Sequence, residues 1–167
     1  RDRIMGAISA EKPFVVLPAG PMITSKFEND RLGACTDCRR YWSKYREGKI
    51  SRHKISEVEN KLASSAGTCS VMGTASTMAC ITETLGMALP GTAAIPAIHA
   101  DRLRAAEASG AQAVHLAQID RDKQLTPKKI ITPASVENAL RILLAVGGST
   151  NAIIHLNLPK VVHRLNE

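Results

Sequence analysis

Apolar positions recur at three- and four-residue intervals along most of this 167-residue chain, the spacing that gathers them on one face of an α-helix. The best-defined stretch lies late. Thr132-Pro133 reads as an N-cap followed by proline at the first helical position, and Val136, Ala139, Leu140, Leu143 and Leu144 form a buried stripe that ends at Gly147-Gly148. Ser149-Thr150-Asn151 then opens a last helix, Ala152 to Leu158, carrying His155. Earlier, Arg1 to Ala10 forms a short helix. Thr36 or Asp37 caps a second, which runs through Trp42, Tyr45 and Arg46 to a stop at Gly48. Ser51 or Ser56 begins a third, with Ile55, Val58 and Leu62 inside and Glu57, Glu59 and Lys61 outside. His99 to Ser109 makes a helix with Asp101, Arg102, Arg104 and Glu107 on a charged face and Gly110 as its C-terminal cap. Gln118 to Lys129 is polar and reads as surface loop with a short extension.

Period-two signals are sparse. Phe14-Val15-Val16-Leu17 is a short apolar run of the kind buried in a parallel sheet, and Ala93 to Ala97 is a short buried strand or a loop. The expected class is therefore α/β, with helices layered around a small, mostly parallel sheet. Pro18-Ala19-Gly20-Pro21 closes the first strand. A Gly/Pro loop at the carboxyl end of a buried strand is where open α/β sheets place ligands, so this loop is a candidate site wall as well as an ordinary turn. There is no internal repeat, low-complexity tract or linker, and residues 1–167 read as one partial domain.

Ser64 to Pro96 is the richest stretch. Gly67-Thr68-Cys69-Ser70 precedes Val71, Met72, Ala75, Met78, Ala79, Ile81 and Leu85 at helical spacing, and Leu89-Pro90-Gly91 ends the run. That places the Cys69 thiol at a helix start, where unpaired N–H groups and the helix dipole favour a thiolate. Cys69 is either a metal ligand or nucleophile, or a small buried residue in a tight loop. Glu83 follows 14 positions later, about 21 Å along an unbroken helix, too far to share one small metal group with Cys69. Glu83 instead reads as a partner for a neighbouring segment, and Cys80 as core.

Composition narrows the functional classes. The net charge of +7 is spread along the chain, concentrated mildly at Arg39 to Lys54 and Lys123 to Lys129, and one Trp, two Tyr and two Phe leave little for base stacking. Nucleic acid is not an expected partner. No apolar run approaches the roughly 18 residues of a membrane span, and no signal segment opens the chain, so a cytoplasmic location with no membrane partner is expected. Cys35, Cys38, Cys69 and Cys80 are too few for a disulfide scaffold and favour reduced thiols or metal ligation. Cys35-Thr36-Asp37-Cys38 has the spacing of half a zinc site or of a redox pair, but no second C-x-x-C or H-x-x-x-H follows, so two structural cysteines are expected. A non-enzymatic metal or thiol-binding module using Cys35, Cys38 and Cys69 is the rival reading.

Read together, Leu17-Pro18-Ala19-Gly20-Pro21-Met22, the run from Gly67 through Cys69 to Ala79, Glu83-Thr84-Leu85-Gly86-Met87, Leu89-Pro90-Gly91, Ile95-Pro96-Ala97 and Gly147-Gly148-Ser149-Thr150-Asn151-Ala152 closely resemble the dihydroxy-acid, phosphogluconate and sugar-acid (aldonate) dehydratases. The matches follow that family's order over nearly the whole chain. The resemblance implies part of the N-terminal α/β domain of an iron–sulfur hydro-lyase, with a 2Fe–2S or 4Fe–4S cluster and Mg2+. Such an enzyme removes water from a 2,3-dihydroxy carboxylic acid to give a 2-keto-3-deoxy acid. It implies a homo-oligomeric whole protein with a small hydroxy-acid substrate. Cys69 matches the last of three cluster cysteines. The other two, the magnesium-binding acids and a modified lysine would lie upstream of Arg1, and the base, a serine, would follow Glu167. The resemblance also implies that Ser149, Thr150 and Asn151 line the substrate side. On this reading the 167 residues are an internal piece of a longer chain, hold no catalytic residue and are inactive alone.

Overall fold

The computed structural model describes residues 2–156. Helix α1 (Asp2–Ser9) is followed by an extended passage and a hairpin, β1 (Ser25–Phe27) and β2 (Asp30–Leu32). Helices α2 (Ala34–Arg46) and α3 (Arg52–Leu62) follow, then a long loop and α4 (Thr74–Thr84). Helix α5 (Ala100–Gln118) leads through a 3-10 turn at Arg121–Lys123 to a one-turn α6 (Pro127–Ile130), α7 (Pro133–Ala145) and α8 (Asn151–Leu156). Leu158, the expected end of the last helix, lies outside the described residues.

The sheet departs from expectation. Among the described residues it has two antiparallel strands, with Lys26 opposite Arg31, and the parallel contact is an isolated bridge between Pro21 and Thr68. Phe14 to Leu17 is extended without becoming a strand. Prolines at 13, 18 and 21 remove ladder donors around it, and the Val16 N–H goes to the Met87 carbonyl in the turn after α4 (2.7 Å). The chain is thus mostly helical with a small hairpin.

Two apolar clusters organise it. The hairpin, α2 and α3 close over Phe27, Leu32, Tyr41, Ile55 and Val58, with Phe27 and Tyr41 edge to face at 5.6 Å. Helices α4, α7 and α8 close over Ile81, Ala139, Leu143, Ala152 and Leu156. Ser51 caps α3, accepting from the Lys54 N–H (3.2 Å), and the reciprocal box between Thr132 and Ser135 caps α7.

Several helix boundaries move. Helix α2 starts at Ala34 because β2 feeds it directly: Gly33 is its N-cap, and Asp37, one turn in, accepts the Gly33 N–H and pairs with Arg40 (2.8 Å). Helix α4 stops at Thr84, with Gly86 beyond it, five residues before Leu89. Helix α5 runs through Gly110 to Gln118, because the alanines around the glycine outweigh its cost of about 1 kcal/mol. On α7, Ala139 and Leu143 are buried, whereas Leu140 and Leu144 are 39% and 80% exposed. No described helix is long and apolar enough to cross a membrane.

Candidate functional site

Cys69 lies in the loop before α4 and not on the helix: α4 begins five residues later, at Thr74, with Gly73 as N-cap. Extended backbone around Gly73 and a tight turn in which its N–H meets the Val71 carbonyl (2.7 Å) keep the intervening residues non-helical. The expected helical separation of Cys69 from Glu83 therefore does not apply. What fixes Cys69 is its upstream neighbour. The Thr68 N–H donates to the Gly20 carbonyl (2.9 Å), the Met22 N–H donates to the Thr68 carbonyl (2.8 Å), and the Ser65 hydroxyl accepts from the Ile23 N–H (3.0 Å). Residues 65–68 are thereby laced along residues 20–23, and the half-buried thiol follows directly.

The same lacing builds a cavity of about 150 Å³, walled by Pro18, Ala19 and Gly20 on one side and by Thr68, Ala75 and Ser76 on the other. The Gly/Pro loop is thus a cavity wall. Gly20 must be glycine here: its φ is +85°, and a Cβ would come within 2.9 Å of the Ala97 nitrogen. Ser76, in the first turn of α4, faces both the Thr68 hydroxyl and the Cys69 carbonyl at 3.5 Å.

The Gly147–Asn151 loop docks on that same turn. The Ser149 N–H donates to the Thr77 hydroxyl (3.0 Å), the Ser149 and Thr74 hydroxyls share a hydrogen bond (3.0 Å), and the Asn151 amide donates to Thr74 (3.1 Å). Thr150 is exposed. Gly148 makes the approach: a Cβ there would sit 2.7 Å from both Leu143 Cδ1 and Thr77 Cγ2. Ser149 and Asn151 therefore meet α4 at Thr74, two residues from Ser76. The other expected residues disperse. Cys35 is exposed and Cys38 half-buried on α2, and the described residues hold no group of three or more His, Cys, Asp or Glu side chains able to share a metal ion. Cys35, Cys38 and Cys69 therefore form no such group. Cys80 is half-buried; burial pushes its thiol pKa up, and the Glu83 charge adds to the effect. His155 is half-buried on α8.

Glu83 is a partner for a neighbouring segment, as expected. Its two oxygens accept the N–H groups of Gly91 (2.8 Å) and Ala93 (2.7 Å). Arg102, expected on a charged face, is only 8% exposed. Its signal was present: Arg102, Ala105, Ser109 and Leu116 keep the spacing of a buried helical stripe, with an arginine in it. Thr74 and Thr77, which anchor the Ser149 loop, carry only a weaker signal as hydroxyls one turn apart at a helix start.

A family model for the N-terminal region of dihydroxy-acid/6-phosphogluconate dehydratases matches residues 3–159. The chain is 40% identical over 92% of its length to a dihydroxy-acid dehydratase of Methanospirillum hungatei, of which it covers 27%. It is 39% identical, again over 92% of its length, to a 6-deoxy-6-sulfo-D-gluconate dehydratase of Pseudomonas putida, covering 26% of that protein. The chain belongs to the dihydroxy-acid/6-phosphogluconate dehydratase family, in its N-terminal part. It spans about a quarter of the length of the curated relatives it matches.

Proposed function

We propose that this chain is the thiol-bearing part of a hydro-lyase that dehydrates a 2,3-dihydroxy carboxylic acid to a 2-keto-3-deoxy acid. The reaction removes the C2 proton and the C3 hydroxyl, and the resulting enol takes up a proton at C3 as it becomes the ketone. The observation that carries the reading is the meeting, at one turn of α4, of the Cys69 loop and the Gly147–Asn151 loop beside a small cavity.

An iron–sulfur cluster needs thiolates from several positions, and the described residues offer one at this place. They fit one ligand, Cys69, and not a whole cluster; on this reading the other ligands, and those of Mg2+, come from sequence outside the described residues. The cluster would supply Lewis acidity for the departing hydroxyl. The roles of this chain are to hold and to shape. Backbone lacing at Thr68 fixes the thiol, while Ser149 and Asn151 offer hydroxyl and amide groups to the polar substrate. Small residues at 18–20 and 75–76 leave room for it.

The test is anaerobic iron–sulfur reconstitution of the full-length protein. Cys69→Ser is expected to lose most of the cluster absorbance and at least about a hundredfold of the dehydration rate, as loss of a metal's contribution implies. Iron content and activity equal to wild type would overturn the assignment.

A further inference from the structure

Among the described residues, Arg102 is a buried cation without an anion. It makes no ion pair among the described residues, and its Nε–H finds no acceptor there. Burial alone pushes its pKa below the usual arginine range. What it contacts instead is backbone from two separate segments. Nη1–H donates to the Pro18 carbonyl (2.7 Å), and Nη2–H donates to the carbonyls of Thr92 (3.0 Å) and Ile95. Charge-assisted hydrogen bonds are strong individually, and a planar fork fixes the angle between the carbonyls it joins.

Both partners belong to the surroundings of the Cys69 loop. Pro18 and Gly20 wall the cavity, and the Gly20 carbonyl holds the Thr68 N–H next to the thiol. The Ala97 N–H donates to the Pro21 carbonyl (2.9 Å), closing the circle between the two segments. Glu83 grips the Gly91–Ile95 turn from the other end, taking two of its N–H groups while Arg102 takes two of its carbonyls. Opposite charges on α4 and α5 thus hold one turn between them without touching each other, and Ala93 of that turn lines the cavity.

We propose that Arg102 is a positioning residue for the site around Cys69. Its guanidinium pins the Pro18–Gly20 wall to the Thr92–Ile95 turn and thereby sets the width of the cavity beside Thr68. Lysine keeps the charge but is a single point that cannot span three carbonyls in one plane. The catalytic consequence rests on the proposed dehydratase reading; the structural consequence does not.

The test compares wild-type and Arg102→Lys full-length protein by hydrogen–deuterium exchange and by kinetics on a 2,3-dihydroxy acid. Peptides spanning residues 16–24, 64–72 and 90–98 are expected to exchange at least about tenfold faster in the variant, the loss of one hydrogen bond to a charged group, while α2 and α3 are unchanged. KM is expected to rise about tenfold, whereas a smaller folded fraction would lower kcat and leave KM alone. Unchanged KM, or exchange that quickens equally in α2 and α3, overturns the proposal. If the wild type dehydrates no 2,3-dihydroxy acid, the functional reading fails and the exchange pattern alone decides the clamp. If the variant does not fold, wild-type exchange decides: the three peptides must open at one common rate, and independent rates refute the clamp.

Discussion

The hairpin with α2 and α3, and the group formed by α4, α7 and α8, solve the same packing problem with different materials. Four of the chain's five aromatic residues, Phe27, Tyr41, Trp42 and Tyr45, are in the first. Lysines 54 and 61 lie over the Phe27 ring, Arg40 and Lys44 lie over Tyr41, and Trp42 Nε1–H reaches Glu59 (3.0 Å). That region is held by bulk and charge. The second buries Thr77, Ala139 and Ala152 completely and ties its parts with hydroxyls and backbone. Large rings fill space and keep backbones apart, whereas small side chains let them approach. The region carrying the candidate site is the one in which small side chains bring backbone segments together.

The contrast breaks most forcefully at a ring. Phe27→Ala should cost about 3–5 kcal/mol in urea unfolding and strip amide protection from α2 and α3 while α4 and α7 keep theirs. Equal loss in both groups would mean that they form one cooperative unit. The second region should be sensitive to a single added methyl. Gly148→Ala is expected to cost about 1–3 kcal/mol, and it should also detach the Ser149 loop, seen as faster exchange at Ser149 and Asn151. A neutral result would show that the close contact is not under compression.

The smallest effect is a pH dependence at Cys80. Its pKa is raised in the folded chain, so the neutral thiol is the favoured form. The associated stability is fully present below the ordinary thiol pKa of 9.0 and is lost as pH rises through the elevated folded value. Stability measured from pH 7 to pH 10 should fall slightly more steeply for wild type than for Cys80→Ala; parallel curves would remove the effect.

Local chemistry was legible where one residue decides the outcome. Thr132-Pro133 caps α7 as expected, and of Ser51 and Ser56 it is Ser51 that caps α3, because a capping hydroxyl acts within its own turn. The family was legible through ordered motifs, and the role of Glu83 through its isolation on an uncharged helix. The start of α4 was not, since Val71 and Met72 keep helical spacing while Gly73 holds the backbone extended. The mostly parallel sheet failed for a similar reason. Four apolar residues at Phe14 to Leu17 give the pattern, but strand identity depends on a partner, and the prolines deny one. Arg102 shares the register of a buried stripe with Ala105, Ser109 and Leu116, but the carbonyls at Pro18, Thr92 and Ile95 that let its charge be buried lie far off in sequence.

The hydrogen bond between Thr74 and Ser149 has a consequence of its own, because either hydroxyl can be the donor. With Asn151 donating to Thr74 and its backbone N–H to Ser149 (3.3 Å), the proton of either hydroxyl can lie between the two oxygens at unchanged heavy-atom coordinates. In one arrangement, Ser149 has a proton to direct outward; in the other, Thr74 does. Reversing the polarity of this edge costs a rotation about two C–O bonds and leaves the backbone where it is.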